Sequence, residues 1–172
     1  MQFIFVYLSD NNIVKSRSLA ATLIKQGSVE VNGRICTKSS FTVCDGDNVK
    51  IIGELPKYVG RGGLKLERAL AHYRLHLDGA VCIDIGASTG GFTDCMLQNG
   101  AAKVYSVDVG TDQLDEKLRN DSRVISMEKT DIRNCVGTLP QVDFISIDVS
   151  FISLKLVLPS AFALLKDGGE CV

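Results

Sequence analysis

Asp84-Ile85-Gly86-Ala87-Ser88-Thr89-Gly90-Gly91-Phe92-Thr93-Asp94 is the stretch whose reading decides the fold. It follows the apolar run Ala80-Val81-Cys82-Ile83 and leads into Cys95-Met96-Leu97. A buried strand, a glycine-rich turn and then a helix is the order in which an α/β protein presents backbone N–H groups to a nucleotide-like ligand. The spacing is not that of a dinucleotide fingerprint, because Gly86 and Gly90 stand four apart and no G-x-G occurs in the stretch. A carboxylate two residues before the first glycine suits a cationic, phosphate-free ligand such as S-adenosylmethionine (SAM).

Downstream, apolar runs alternate with helical segments. Strands are read at Val81–Ile83, Lys103–Val107, Val124–Ser126 and Val142–Ile147, and helices near 92–99, 112–119 and 154–165. This alternation predicts a parallel sheet with crossover helices and a ligand at the carboxyl ends of the strands. Each of the four strands ends at or near an acid: Asp84, Asp108, Asp131 and Asp148. A lone strand-end Asp is most often a helix cap. Four in register beside a glycine turn point instead to one cleft. Asp108 falls 22 residues after Gly86, the spacing at which a carboxylate accepts from ribose hydroxyls. Asp131 is placed to accept from an adenine amino group.

Upstream, Leu64–Tyr73 reads as an amphipathic helix with Leu66, Leu70 and Tyr73 on one face. Residues 56–63, with Gly60, Gly62, Gly63 and Pro56, read as a linker. Residues 1–55 read as a small α+β module. Ser16 is a candidate N-cap for a helix through Gln26 that Gly27 stops. Val29–Val31 and Arg34–Cys36 flank Asn32-Gly33, a strong hairpin signal, and Val49–Ile52 follows as a further strand. Residues 1–68 carry ten Lys/Arg against six Asp/Glu, whereas residues 69–172 carry nine against fourteen. The basic front, with Lys15, Arg17, Lys25, Arg34, Lys38 and Lys50, suits a polyanion.

Hydrophobic content of 45% and charge of 23% describe a soluble globular chain. The longest mostly apolar run, Leu154–Leu165, is broken by Lys155, Pro159 and Ser160, so no membrane span is read. Six cysteines show no C-x-x-C and no His at ligand spacing. They read as reduced core residues of a cytoplasmic protein, with no metal site.

Ser16-Arg17-Ser18, followed by Leu23-Ile24-Lys25-Gln26-Gly27-Ser28-Val29 and then Val31-Asn32-Gly33, resembles the αL RNA-binding fold of ribosomal protein S-four. That resemblance implies RNA-backbone contacts through Lys15, Arg17, Lys25, Arg34 and Lys38. The family's usual Arg-Leu-Asp at the first helix is replaced by Phe3-Ile4-Phe5, so a poorly capped first helix is expected. Asp84 through Phe92 resembles the first motif of the FtsJ-type RNA ribose methyltransferases. Tyr58-Val59 with Arg61-Gly62-Gly63-Leu64-Lys65-Leu66-Glu67, Val107-Asp108-Val109-Gly110, Lys117-Leu118-Arg119-Asn120-Asp121 and Ile147-Asp148-Val149-Ser150-Phe151-Ile152-Ser153-Leu154 are similar to the TlyA family throughout.

What this resemblance implies is a Rossmann-like SAM-dependent methyltransferase sheet, incomplete at about four to five strands, over residues 64–172. A small α+β RNA-binding domain over 1–55 precedes it. The implied activity is 2′-O-methylation of ribosomal RNA, free or in ribosomal subunits, with cytidine as the expected base. Asp84, Gly86, Ser88, Gly90, Gly91, Phe92, Asp108, Val109, Asp131, Ile132 and Asp148 would hold SAM. Lys65 and Asp148 match two of the family's four catalytic positions. A ribose hydroxyl is a poor nucleophile that must be held in line with the sulfonium methyl, and a lysine accepts its proton only when burial or a nearby cation disfavours its charge. The family's second lysine and its glutamate lie beyond the next apolar run, and Gly168–Val172 reads as the turn into a fifth strand. The expectation is a truncated chain with impaired transfer and a tendency to associate. The competing reading is a non-catalytic RNA-binding protein with a vestigial SAM fold. An NAD oxidoreductase and a membrane-active cytolysin are disfavoured by the glycine spacing and by the lack of a span.

Overall fold

The computed structural model describes every residue except Lys15 and Glu54. The expected Lys15 contact therefore lies outside the described residues. The chain divides into two compact units, Met1–Leu55 and Pro56–Val172.

In the first unit, β1 (Gln2–Phe3), α1 (Ile4–Asp10) and α2 (Arg17–Lys25) precede β2 (Val29–Val31), β3 (Arg34–Ile35), β4 (Thr42–Val43) and β5 (Val49–Ile51). Ser16 caps α2 as expected, its hydroxyl accepting from the Leu19 N–H at 3.2 Å. Asn32 and Gly33 both take positive φ, the geometry of a type I′ hairpin turn. No side chain caps α1, again as expected. Backbone substitutes for it: β1 pairs antiparallel with β4, and the Ile4 N–H donates to the Phe41 carbonyl at 2.8 Å. Ile4, Leu8, Ala20, Leu23, Ile24 and Val29 are fully buried and form this unit's core.

The second unit holds α3 (Gly62–Tyr73), β6 (Val81–Ile85), α4 (Gly91–Gln98), β7 (Lys103–Val107), α5 (Glu116–Arg119), β8 (Val124–Met127), a 3-10 turn (Ile132–Asn134), β9 (Val142–Ile147), α6 (Leu154–Leu164) and β10 (Leu165–Cys171). The five strands lie in the order β10-β9-β6-β7-β8, all parallel. Side chains of a strand alternate between faces. Cys82, Val104 and Phe144 therefore meet Leu66 and Leu70 of α3 and Cys95 and Met96 of α4, while Ile83, Val107 and Ile145 meet Val157, Ala161 and Leu164 of α6. A parallel sheet covered on both faces is the expected fold class.

Several details differ from expectation. The helix expected over 112–119 is a single turn, because Asp115 caps it by accepting from the Lys117 N–H. The fifth strand begins at Leu165 rather than after Gly168, with a register shift between Leu165 and Glu170. Residues 56–63 belong to the second unit, where Tyr58 is buried in the core. Their glycines permit close packing: a Cβ on Gly91 would lie 3.0 Å from both the Gly60 carbonyl oxygen and the Gly63 nitrogen. Of the cysteines, Cys36, Cys82, Cys95 and Cys135 are buried as expected, but Cys44 is exposed.

Candidate active site

The sheet winds outward in two directions from β6, towards β7 and β8 on one side and towards β9 and β10 on the other. Such a switch point opens a crevice at the carboxyl ends of the strands. Gly86 stands there with φ +85°, and a Cβ on it would lie 2.5 Å from the Asp148 carbonyl oxygen. The Asp148 N–H in turn donates to the Ile85 carbonyl at 3.1 Å. The glycine turn and the end of β9 are thereby locked together.

Asp84 lies beneath this turn and is 1% exposed. Strand register places Ser106 and Ser146 directly across from it, on the face that α4 covers. Its Oδ2 accepts from the Thr93 N–H at 2.9 Å and the Thr93 hydroxyl at 2.7 Å, and its Oδ1 from the Ser146 hydroxyl at 3.0 Å. With the Thr93 proton committed to Asp84, Ser106 is left to donate to Thr93 Oγ1 at 2.8 Å. The carboxylate expected to face a ligand thus serves as an internal anchor for the start of α4. Burial pushes its pKa up to about 6; the bonds from Thr93 and Ser146 oppose that rise, and the Asp148 charge adds to it.

A raised acid pKa stabilises the fold where the group is protonated. That contribution is complete below about 3.8 and is lost as pH rises through about 6, a difference of about 3 kcal/mol. Asp84→Asn is expected to remove this slope. Denaturant titrations from pH 4 to 7 should show the wild type losing stability relative to the variant by about that amount. Parallel pH curves for the two proteins would refute the assignment.

On the β7 side, a narrow cleft is lined by Ala87, Ser88, Asp108, Gly110, Gln113, Leu114, Ser126 and Glu128, with the buried Ser106 beneath them. Asp108 accepts from the Ser88 N–H and the Gly110 N–H, both at 2.7 Å, and so shapes the loops on each side. The Ser88 hydroxyl donates to the Gln113 amide oxygen at 3.3 Å. The free volume is about 10 Å³, room for about one water, so the lining must open before a larger molecule enters. The lining contains two carboxylates and no lysine or arginine. That charge suits a cationic nucleoside and opposes a pyrophosphate.

The expected cofactor residues are only partly gathered here. Ser88 and Asp108 line the cleft, while Gly86, Gly90 and Gly91 shape its loop by packing. Phe92 lies against Gly62 and the core, Val109 is 74% exposed, and Ile132 is buried in the 3-10 turn. Asp131 caps that turn and is tied to Arg133, with Nη2–Oδ2 at 2.6 Å. The acid that the third strand contributes to the cleft is Glu128, directly after β8 and 3.2 Å from Arg119. Gln113 and Glu128 had no motif to mark them. Ser106 and Ser146 did carry a signal, each a polar residue one place before the end of its strand.

On the β9 side, Lys65 of α3 and Asp148, 83 positions apart, form an ion pair with Nζ–Oδ2 at 3.0 Å. The burial expected around Lys65 is not present: its side chain is 68% exposed and that of Asp148 is 45% exposed. Three residues on, Phe151 is fully exposed and held at φ 64°, a conformation that is strained for a bulky side chain. Asp94, which had no expected role, ties residues 56–63 to the turn. It is 3% exposed, accepting from the Val59 N–H at 2.9 Å and pairing with Lys117 at 2.9 Å.

In the first unit, Arg17, Lys25, Arg34 and Lys38 are all exposed, and Arg17 lies 3.4 Å from Asp10. Among the described residues there is no cluster of side chains able to hold a metal and no helix long and apolar enough to cross a membrane.

A doubly wound sheet with a glycine turn, an acid-lined cleft and a Lys–Asp pair at its switch point has the layout of a methyltransferase-type α/β protein. Residues 58–167 match the FtsJ-like methyltransferase family and residues 4–49 match the S4 domain. The chain belongs to the FtsJ-like methyltransferase family and carries an S4 domain ahead of it. It is 41% identical to Hemolysin A of Brachyspira hyodysenteriae, over 94% of this chain and 68% of that protein. It is 40% identical to the 16S/23S rRNA (cytidine-2′-O)-methyltransferase TlyA of Mycobacterium tuberculosis, over 86% of this chain and 56% of that one. A solved Streptococcus thermophilus structure with a hemolysin name is 46% identical, with a TM-score of 0.69 over 99% of this chain and 64% of the other. The chain thus spans from just over half to about two thirds of the length of these relatives.

Proposed function

We propose that this chain methylates the 2′-hydroxyl of a ribose in ribosomal RNA, with SAM as donor and the cytoplasm as its location. The observation that carries the reading is the Lys65–Asp148 ion pair, formed across 83 positions beside the glycine turn and the acid-lined cleft. A relative named for cytidine-2′-O-methylation makes cytidine the expected base.

The chemistry of the cleft's lining suits the donor, although the cleft must open to admit it. Ser88 and Asp108 would hold its ribose side, Glu128 and Gln113 are the polar groups available to its base, and the acidic lining suits its positive charge. When bound, SAM supplies an electrophilic methyl group. The chain's own part is to bring the acceptor into line and dispose of its proton. Asp148 Oδ2 fixes the Lys65 Nζ at the crevice. Once Lys65 has passed its own ammonium proton to solvent, Nζ would take up the 2′-hydroxyl proton while the donor's methyl group passes from sulfur to that oxygen. Phe151, three residues after Asp148, presents a bare aromatic face suited to stack the base of the target nucleotide. The exposed Arg17, Lys25, Arg34 and Lys38 would grip the RNA backbone elsewhere.

Calorimetric titration of SAM, with Asp108→Ala as control, tests the cleft. Binding that the substitution abolishes is expected, because Asp108 also holds the Ser88 and Gly110 loops. Transfer of tritiated methyl to ribosomal RNA tests the reaction, and resistance of the modified position to alkaline hydrolysis identifies the 2′-oxygen. RNA binding with no SAM binding would instead support the vestigial reading.

A further inference from the structure

We infer that one face of α3 is a second RNA-backbone track, formed by Arg61 at its N-cap, Lys65, Arg68 and His72. The inference rests on the proposed RNA methyltransferase function and adds where the strand runs as it leaves the site. These positions follow the i, i+4, i+7, i+11 spacing that puts side chains on a single helix face. All four residues are exposed. Among the described residues only Lys65 of the four is in an ion pair, with Asp148. The one acid within α3, Glu67, points elsewhere and pairs with Lys57.

The face opposite the track is committed. Leu66 and Leu70 are buried against the sheet, so α3 is anchored by its apolar side and offers its basic side to solvent. At 1.5 Å per residue the track extends about 16 Å, a reach that covers several backbone phosphates. Lys65 belongs to the reacting pair, one turn in from Arg61, and from there Arg68 and His72 lead two turns along the helix. At its far end Tyr73 is 65% exposed and stands edge-on to His72 at 4.7 Å. Cations with an exposed aromatic neighbour suit single-stranded nucleic acid. Spaced along one helix face, the exposed arginines and lysine suit successive backbone phosphates, contacts that position the strand without reading its sequence.

The probe is deproteinised 16S and 23S ribosomal RNA, titrated with the full chain at a series of salt concentrations. Arg68→Gln is expected to weaken binding and to lower the slope of log K against log salt by about 0.7 to 0.9, the amount for one lost phosphate contact. Arg68→Glu combined with His72→Glu should lower it further, and Arg68→Lys should restore it. SAM affinity should stay unchanged in all of them, which separates loss of the track from loss of fold. An unchanged salt slope in the doubly substituted protein overturns the inference while leaving the methyltransferase reading intact. Failure of the unmodified chain to bind ribosomal RNA at all overturns both.

Discussion

Replacing Lys65 by Met is expected to lower the rate of methyl transfer by about 10²–10⁴-fold, the range associated with loss of a positioned proton acceptor. Methionine keeps the length of the side chain and its helix propensity while removing the amine. The side chain is 68% exposed, so the fold should be unaffected. Affinity for SAM should hold, because Lys65 does not line the cleft. Ribosomal RNA should bind somewhat more weakly, through loss of one cation from α3. The informative result is therefore a fall in kcat far larger than any change in either affinity. If kcat and RNA affinity fall by the same modest factor, Lys65 only grips the backbone and the proton goes elsewhere. Asp148→Asn provides an internal check. It removes the charge that holds Nζ at 3.0 Å and should act in the same direction through misplacement of the lysine. Because the two residues form a unit, the double variant should be little slower than Lys65→Met alone.

The alternation of strands and helices was legible because a parallel strand covered on both faces is mostly apolar. Val142–Ile147 and Lys103–Val107 were therefore readable to the residue. The strands β1 and β4 were not, since two-residue ladders have no period to detect. Residues 56–63 misled in a more instructive way. Their glycines and proline have the composition of a linker, yet Gly60 and Gly63 lie against Gly91, a close approach no larger residue permits. Composition reports that a residue is small; it does not report what lies beside it.

The site divided along the same line. Lys65 and Asp148 came from motif resemblance, and the fold brings them into contact. The acids at strand ends were read as one ligand-facing set, but their fates differ with local geometry. Asp84 points inward because strand alternation turns it towards α4, and Asp131 is spent on capping its own turn. Glu128 reaches the cleft because it follows β8 immediately, a boundary that the sequence placed one residue early.

Gly86→Ala is expected to be the most destabilising small substitution in the second unit, and the one that links fold to chemistry. Two costs add. At φ +85° an alanine sits in the left-handed region, at about 1–2 kcal/mol. Its Cβ would also stand 2.5 Å from the Asp148 carbonyl oxygen and 3.1 Å from its carbonyl carbon, which are backbone atoms with no rotamer to relieve them. The entropy gained in the unfolded chain returns at most about 1 kcal/mol. A net loss of about 3 kcal/mol follows, or roughly 10 °C in Tm for a chain of this size. The same clash must prise the end of β9 from β6, straining the bond from Asp148 N–H to Ile85 O and shifting the partner of Lys65. Methyl transfer should consequently fall even at temperatures where the variant remains folded. Gly90→Ala is the control. Its φ of +91° carries the same backbone cost, but its Cβ meets the side-chain methyls of the buried Leu114 and Leu118 rather than backbone atoms, so side-chain repacking can absorb the contact. It should cost about 1–2 kcal/mol. Equal losses from both substitutions would mean that the strand ends separate easily and that the turn is not locked to Asp148. A much larger loss at Gly86, with transfer impaired beyond the loss of folded protein, would show that the glycine holds the reacting pair in register.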